Sequence, residues 1–309
     1  MARILSERQE IQRNFERELS ASKSNDMIQR GGHGLTLREQ KCILYAISKI
    51  RPSDTEFREY AFDIKDFYAV CGLTDDNYTE LKGILKGIAD KSWWHRDASG
   101  SESLLRWFSV VRLNKRKHTV TIEFHKDMVP FLLQLASRDV FYTSYELKYI
   151  LPMSSQYGPR LYELLKSYSN NPSWFFPTPE LKKLLGAESY KNFNDFKRFV
   201  LDPAVADINA YTDLSVFCQP KKEGVRYASV NFRISKRKEG SPALTDAIFA
   251  GITKMDGTLQ EQLERAQKAK EKNERRRQAR KNKADEATQE PLEEQLEGQV
   301  DLLADWEGE

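Results

Sequence analysis

Apolar residues recur at helical spacing through the first third of the chain and then change period. Leu37, Ile43, Leu44, Ile47 and Ile50 line one face of a helix. Thr36 with Glu39 three residues on forms a capping box at its start, and Pro52 follows its end. Ile64, Phe67 and Val70 mark a short second helix over Asp63 to Cys71, with Gly72 where a left-handed cap belongs. Tyr78, Leu81, Ile84, Leu85 and Ile88 predict a third, from about Asp75 to Asp90, with Lys82 and Lys86 on its outer face. The period then drops to two. Leu105, Trp107 and Ser109 alternate with Arg106, Phe108 and Val110 in one strand, and Val120, Ile122 and Phe124 share a face of another. Between the two lies a basic tip, Asn114-Lys115-Arg116-Lys117-His118.

The order then repeats. A helix starting at Ser154 or Ser155, with Pro159 in its first turn, carries Leu161, Leu164, Leu165 and Tyr168. Thr178-Pro179-Glu180 opens a short helix with Leu181, Leu184 and Leu185, closed by Gly186. A longer helix from Asn192 or Asn194 carries Phe196, Phe199, Val200, Val205 and Ile208, and Pro203 should kink or split it. Strands Leu214–Cys218 and Arg226–Ile234 flank a tip at Gln219–Gly224. Each unit also places a Tyr (Tyr78, Tyr190) and an apolar-Lys pair (Leu81-Lys82, Phe196-Lys197) after its short helix. Helices followed by a basic hairpin, twice over, predict an α+β, mainly helical chain built from two tandem winged-helix domains. The expected limits are an N-terminal arm at 1–30, units at 31–139 and 140–238, and a linker and charged, largely disordered tail at 239–309. Within the arm, Ile4, Leu5, Ile11, Phe15 and Leu19 are spaced for a short helix.

Charge sharpens this picture. The whole chain carries +3, yet Ala284–Glu309 holds ten acidic residues and no Lys or Arg, which leaves +13 on the body before it. A basic body implies a polyanionic partner, because Lys and Arg release counterions from phosphates. The three cysteines, Cys42, Cys71 and Cys218, are scattered and read as small core residues in a reducing compartment. The Trp93-Trp94 pair reads as packing. No apolar run approaches the roughly 20 residues of a membrane span. A cytoplasmic protein without a membrane partner is expected.

Enzymatic signatures are missing from the sequence. There is no GxxxxGK[ST] phosphate loop, no His-x-His pair, no GxSxG and no HExxH. No metal site, cofactor or catalytic residue is therefore expected. His33, His95, His118 and His125 are scattered.

A helix-turn-helix sets the N-terminal half of its second helix into the major groove, where Arg and Lys pair with guanine and Asn with adenine. In the second unit that selects Lys191, Asn192, Asn194, Lys197 and Arg198, with wing residues Lys221, Lys222 and Arg226 for phosphate. In the first it selects Tyr78, Lys82 and Lys86, beside Asn77, with Lys115, Arg116 and Lys117 on the wing. A transcriptional regulator or phage DNA-binding protein could use the same tandem scaffold, since fold alone does not fix function.

Three segments carry a resemblance to a known family: Leu35–Ile50 (LTLREQKCILYAISKI), Tyr142–Tyr168 (YTSYELKYILPMSSQYGPRLYELLKSY) and Tyr190–Val216 (YKNFNDFKRFVLDPAVADINAYTDLSV). They resemble the iteron-binding plasmid replication initiators, over residues 24–235. The resemblance implies binding to direct repeats in double-stranded origin DNA by monomers, origin opening, and recruitment of the host initiator and helicase. It also implies dimers that repress the chain's own gene. It maps the recognition helix onto Asn192–Val200 and the second wing onto Gln219–Tyr227.

Beyond that core, Arg265–Lys283 is a basic, helix-favouring stretch. Gln299, Asp301, Leu302 and Leu303 in the acidic tail are similar to the short peptide that docks on the bacterial sliding clamp. If they dock there, a pull-down with the clamp should lose signal on Leu302→Ala/Leu303→Ala, and an equal signal would remove the idea.

Overall fold

A computed structural model describes residues 20–31, 34–73 and 77–237. The arm helix, the segment after Lys236, the basic stretch and the clamp-like tail lie outside the described residues, apart from Arg237.

The first unit opens with β1 (Ser20–Ser24), α1 (Asn25–Arg30), α2 (Leu37–Ser48), β2 (Tyr60–Asp63), α3 (Ile64–Cys71) and α4 (Tyr78–Asp90). It continues through β3 (Ser92–Arg96), β4 (Glu102–Arg106), β5 (Phe108–Asn114), β6 (Thr119–Phe124) and the short α5 (Val129–Leu132). The second holds β7 (Tyr142–Glu146), α6 (Gly158–Ser167), β8 (Ser173–Pro177), α7 (Thr178–Leu185), α8 (Phe193–Phe196), α9 (Asp202–Tyr211), β9 (Leu214–Glu223) and β10 (Arg226–Lys236).

Each unit has one three-stranded antiparallel sheet, ordered β2-β6-β5 and β8-β10-β9. In both, a short strand leads straight into the short helix (β2 into α3, β8 into α7) and pairs with the returning strand of the wing hairpin. Two smaller sheets are added. β3 pairs with β4, and β1 pairs with β7, Ser20 opposite Glu146 and Ser24 opposite Tyr142. Residues 20–30 are therefore built into the body: Ala21, Met27 and Ile28 are fully buried. The α+β class holds, with strands more prominent than helical periodicity had implied.

Local chemistry explains the boundaries. Thr36 Oγ1 accepts from the Glu39 amide at 3.4 Å and Glu39 Oε2 from the Thr36 amide at 2.7 Å, closing the capping box. Gly186 closes α7 at φ 67°, a conformation costly for any residue with a Cβ. α6 starts at Gly158 rather than at Ser154 or Ser155, because those two amides donate instead to the buried carboxylate of Asp207, at 2.8 and 2.6 Å. The helix expected across Pro203 is two, α8 and α9, with Pro203 in the first turn of α9. A π turn over Lys197–Leu201 precedes it, and the Asp202 amide bonds back to the Lys197 carbonyl, five residues away. That wider register accommodates a residue with no amide to donate.

Three expectations need correction. The single strand expected through Leu105–Val110 is two strands in different sheets. Trp107 and Phe108 are both buried, which breaks strict alternation, and the chain turns between them from β3's partner to β6's. Of the tryptophan pair, Trp93 packs at 5.1 Å on Trp107, but Trp94 points outward and is 66% exposed. The second wing also reaches further than predicted. β9 continues through Pro220 to Glu223, and only Gly224 and Val225 turn. β9 is an edge strand, where a missing donor is tolerated.

The cores centre on Phe67, Leu81, Leu85, Ile122 and Phe124 in the first unit and on Leu161, Phe196, Ile208 and Phe232 in the second, all buried. Cys42 and Cys71 join the first core, and Cys218 is half-buried. Among the described residues no helix is long and apolar enough to cross a membrane.

Candidate nucleic-acid interface

The two helices that follow the glycine caps begin alike. Asn77 caps α4, its side chain accepting from the Glu80 amide at 3.2 Å. Asn192 caps α8, accepting from the Asn194 amide at 2.8 Å. From the cap onward the residue types run in step. An aromatic (Tyr78, Phe193) is followed by an acid (Glu80, Asp195), a fully buried anchor (Leu81, Phe196), a lysine (Lys82, Lys197) and a second buried anchor (Leu85, Val200). Tyr78 thus corresponds to Phe193, and Tyr190 lies ahead of the cap.

The aromatic at each helix start meets its own wing. Phe193 stacks on Tyr227 of β10 at 4.1 Å and 18°, and the Lys222 ammonium lies 4.7 Å from the Tyr227 ring. In the first unit the Lys115 ammonium lies 5.6 Å from the Tyr78 ring. Helix start and wing therefore form one surface in each unit, held by ring and cation contacts.

The other candidates divide. In the second unit Asn194 and Arg198 are exposed, Arg198 with its guanidinium 5.1 Å from the Phe199 ring. Lys197 is turned along the helix onto Asp202, with both carboxylate oxygens at 2.7 Å. Lys191 is exposed and donates to the Glu188 carbonyl at 3.3 Å. Lys221 and Arg226 are exposed on the wing strands. In the first unit Lys82 is exposed, Lys86 pairs with Asp90, and Arg116 and Lys117 are exposed at the wing turn. Where α8 is followed by Arg198, the matching place in α4 is Gly83.

Lys182 is a site-building residue that sequence reasoning missed. From α7 its ammonium sits 5.3 Å from the Phe196 ring and donates to the Tyr190 carbonyl, drawing the turn before Asn192 onto α8. Burial, then the nearby Lys191 charge, lowers its pKa. A helical lysine one turn before a glycine cap gave no signal of this.

Residues 20–166 match the family model described as Initiator Replication protein, WH1, and residues 177–234 that described as Initiator Rep protein, WH2. The PI protein of Escherichia coli is 28% identical over 155 residues, covering 44% of this chain and 51% of that protein. A Replication initiation protein of Escherichia coli is 23% identical over 215 residues, covering 64% of this chain and 65% of that protein. The chain thus spans about half of the one and just under two thirds of the other. Its fold resembles the crystal structure of a Pi initiator protein in complex with iteron DNA, with a TM-score of 0.59 at 20% identity, over 72% of this chain and 99% of that one.

Proposed function

Because this chain belongs to the family of initiator replication proteins with WH1 and WH2 domains, we propose that it starts plasmid replication by binding direct repeats in double-stranded DNA. The units within 31–139 and 140–238 each enter one major groove with the start of α4 or α8 and lay a wing along the flanking phosphates. The observation that carries this reading is the repeated helix start, Asn-aromatic-x-acid-apolar-Lys, facing a basic wing in both units. The second unit is the main sequence reader, since Arg198 stands where the first has Gly83. Asn194 and Arg198 read base edges. Asn192 serves chiefly as the cap. Lys191, Lys221, Lys222, Arg226, Lys115, Arg116 and Lys117 neutralise phosphate, as do Lys82 and Lys86, while Lys197 orients through Asp202. Bound monomers open the origin and bring in the host initiator and helicase, and dimers repress the chain's own gene. Every one of these steps is binding, without a chemical reaction by the chain itself.

Footprinting on DNA flanking the gene, at two salt concentrations, tests the reading. Arg198→Ala should weaken binding to the protected repeats by about 1–3 kcal/mol and leave random DNA nearly unaffected. Lys221→Ala/Lys222→Ala should weaken both equally and reduce the slope of log affinity against log salt by about 2. A wild-type chain with no preference for its own flanking DNA over random duplex would overturn the proposal.

A further inference from the structure

A buried ionic cluster on α6 ties β1, α1 and β7 to the last turn of α7. Arg160 and Glu163 stand one turn apart on α6, and both are buried. The Arg160 guanidinium reaches into two other segments. Its Nε donates to the Leu184 carbonyl at 3.1 Å, in the last turn of α7, just ahead of Gly186 and the second recognition helix. Its Nη2 donates to the Ile28 carbonyl at 2.6 Å and to the Gly31 carbonyl, closing α1. Nη1 faces Glu163 Oε2 at 3.6 Å. Glu163 in turn binds the ammonium of Lys23 on β1 and accepts from the Tyr145 hydroxyl. Lys23 lies 6.0 Å from the ring of Trp107, at the root of the first wing strand.

Further polar and backbone contacts join the same segments, beside an apolar core that runs through both units. Lys41 of α2 donates to the carbonyls of Leu151 (2.7 Å) and Met153 (3.0 Å). A Cβ on Gly186 would sit 3.5 Å from the Gly34 Cα, so the two segments pass backbone to backbone. A cavity of about 30 Å³ remains beside Lys23, Trp107, Arg160, Glu163, Leu184 and Leu185. Leu35, Ile43 and Leu44 line the same cavity, so apolar side chains of both units meet here, and the directional bonds add a defined geometry to that packing. Burying such a cluster is a poor route to stability, because well-packed apolar residues would do as well or better. What it offers is a single geometry. Lysine in place of Arg160 would keep the charge but present a point donor, without the planar fork that spans carbonyls on separate segments.

We propose that Arg160 is a positioning residue that fixes the spacing and rotation between the two DNA-reading helices, and so sets which separation of groove segments the chain accepts. The inference rests on the reading of both units as groove readers. An inserted base pair displaces one groove by about 3.4 Å and about a tenth of a turn. A rigid reader cannot follow that displacement, whereas a loosened one can.

The test uses the full chain, the repeat protected in footprinting, and the same repeat with one base pair inserted between the two groove segments. Wild type should lose at least about tenfold in affinity on insertion, or 1.4 kcal/mol. Arg160→Lys, with its cooperative melting transition checked, should lose about threefold or less. If Arg160→Lys does not melt cooperatively, Glu163→Gln, which keeps shape and loses charge, is judged by the same criterion. A folded variant with the wild-type penalty overturns the inference. So does a wild type that prefers its repeat over random DNA but ignores the insertion, which leaves the proposed function standing. A wild type with no preference for the repeat removes both.

Discussion

Phe196→Ala is expected to lower the unfolding free energy by about 3–5 kcal/mol, the range for deleting a large aromatic from a core. Phe196 is fully buried and meets Phe193 edge-on at 6.0 Å. It sits in a helical segment of only four residues before the π turn, so few local hydrogen bonds hold that turn in place. Short helices owe their stability to packing. Removing the ring takes away the floor beneath Phe193, and with it the stack on Tyr227 that joins helix start to wing. Specific DNA binding should therefore fall together with stability. Phe199, three residues on, is half-exposed, and its change to alanine should cost well under half as much. Urea denaturation of the three proteins checks this. A loss below about 1 kcal/mol for Phe196→Ala would mean that something other than this ring holds the recognition helix.

Features whose cause is local were legible in the sequence. The capping box at Thr36, the glycine cap at Gly186 and the faces of α4 and α9 each depend on residues within a turn or two. Features with distant causes were not. β1 reads Ser-Ala-Ser-Lys-Ser, with one apolar residue, and becomes a strand only because β7, more than a hundred residues later, offers it an edge. β3 and β4 were obscured by alternation that runs on into β5, and only the burial of Trp107 and Phe108 together marks the break. At the candidate interface, helix position selected stretches that the structure places at the starts of α4 and α8. The match of Asn77-Tyr78 with Asn192-Phe193 was also present in the sequence, but the eye-catching Tyr190 shifted the comparison off register. The Lys197–Asp202 pair could not be foreseen. Residues five apart do not face each other on an α-helix, and the π turn brings them together. Arg160 owes its burial to distant partners, the carbonyls of Ile28 and Gly31.

That dependence on distant partners makes Glu163→Ala the second large effect. The carboxylate is the anion that Lys23 and Arg160 share, and all three are buried. Removing one partner of a buried pair leaves uncompensated charge and typically costs about 3–5 kcal/mol. The Tyr145 hydroxyl loses its acceptor at the same time. Lys23→Met/Glu163→Leu removes the stranded ammonium as well, so it should be more stable than Glu163→Ala alone. A double-mutant cycle with Lys23→Met and Glu163→Leu as its single variants reads the coupling between the two sites. The pH dependence follows from the lysine. Burial already lowers the Lys23 pKa from 10.5, and Glu163 is the neighbour that raises it. Without Glu163 the folded-state pKa falls further, so the folded chain binds fewer protons than the unfolded one between that value and 10.5. Stability then rises with pH across this window. The deficit of Glu163→Ala should therefore shrink as pH is raised toward 10.5, while Lys23→Met/Glu163→Leu, with no lysine at this site, should show no such recovery. Parallel thermal melts of both variants and wild type across that window decide it: equal deficits at every pH would mean that Lys23 finds another anion or water once Glu163 is gone.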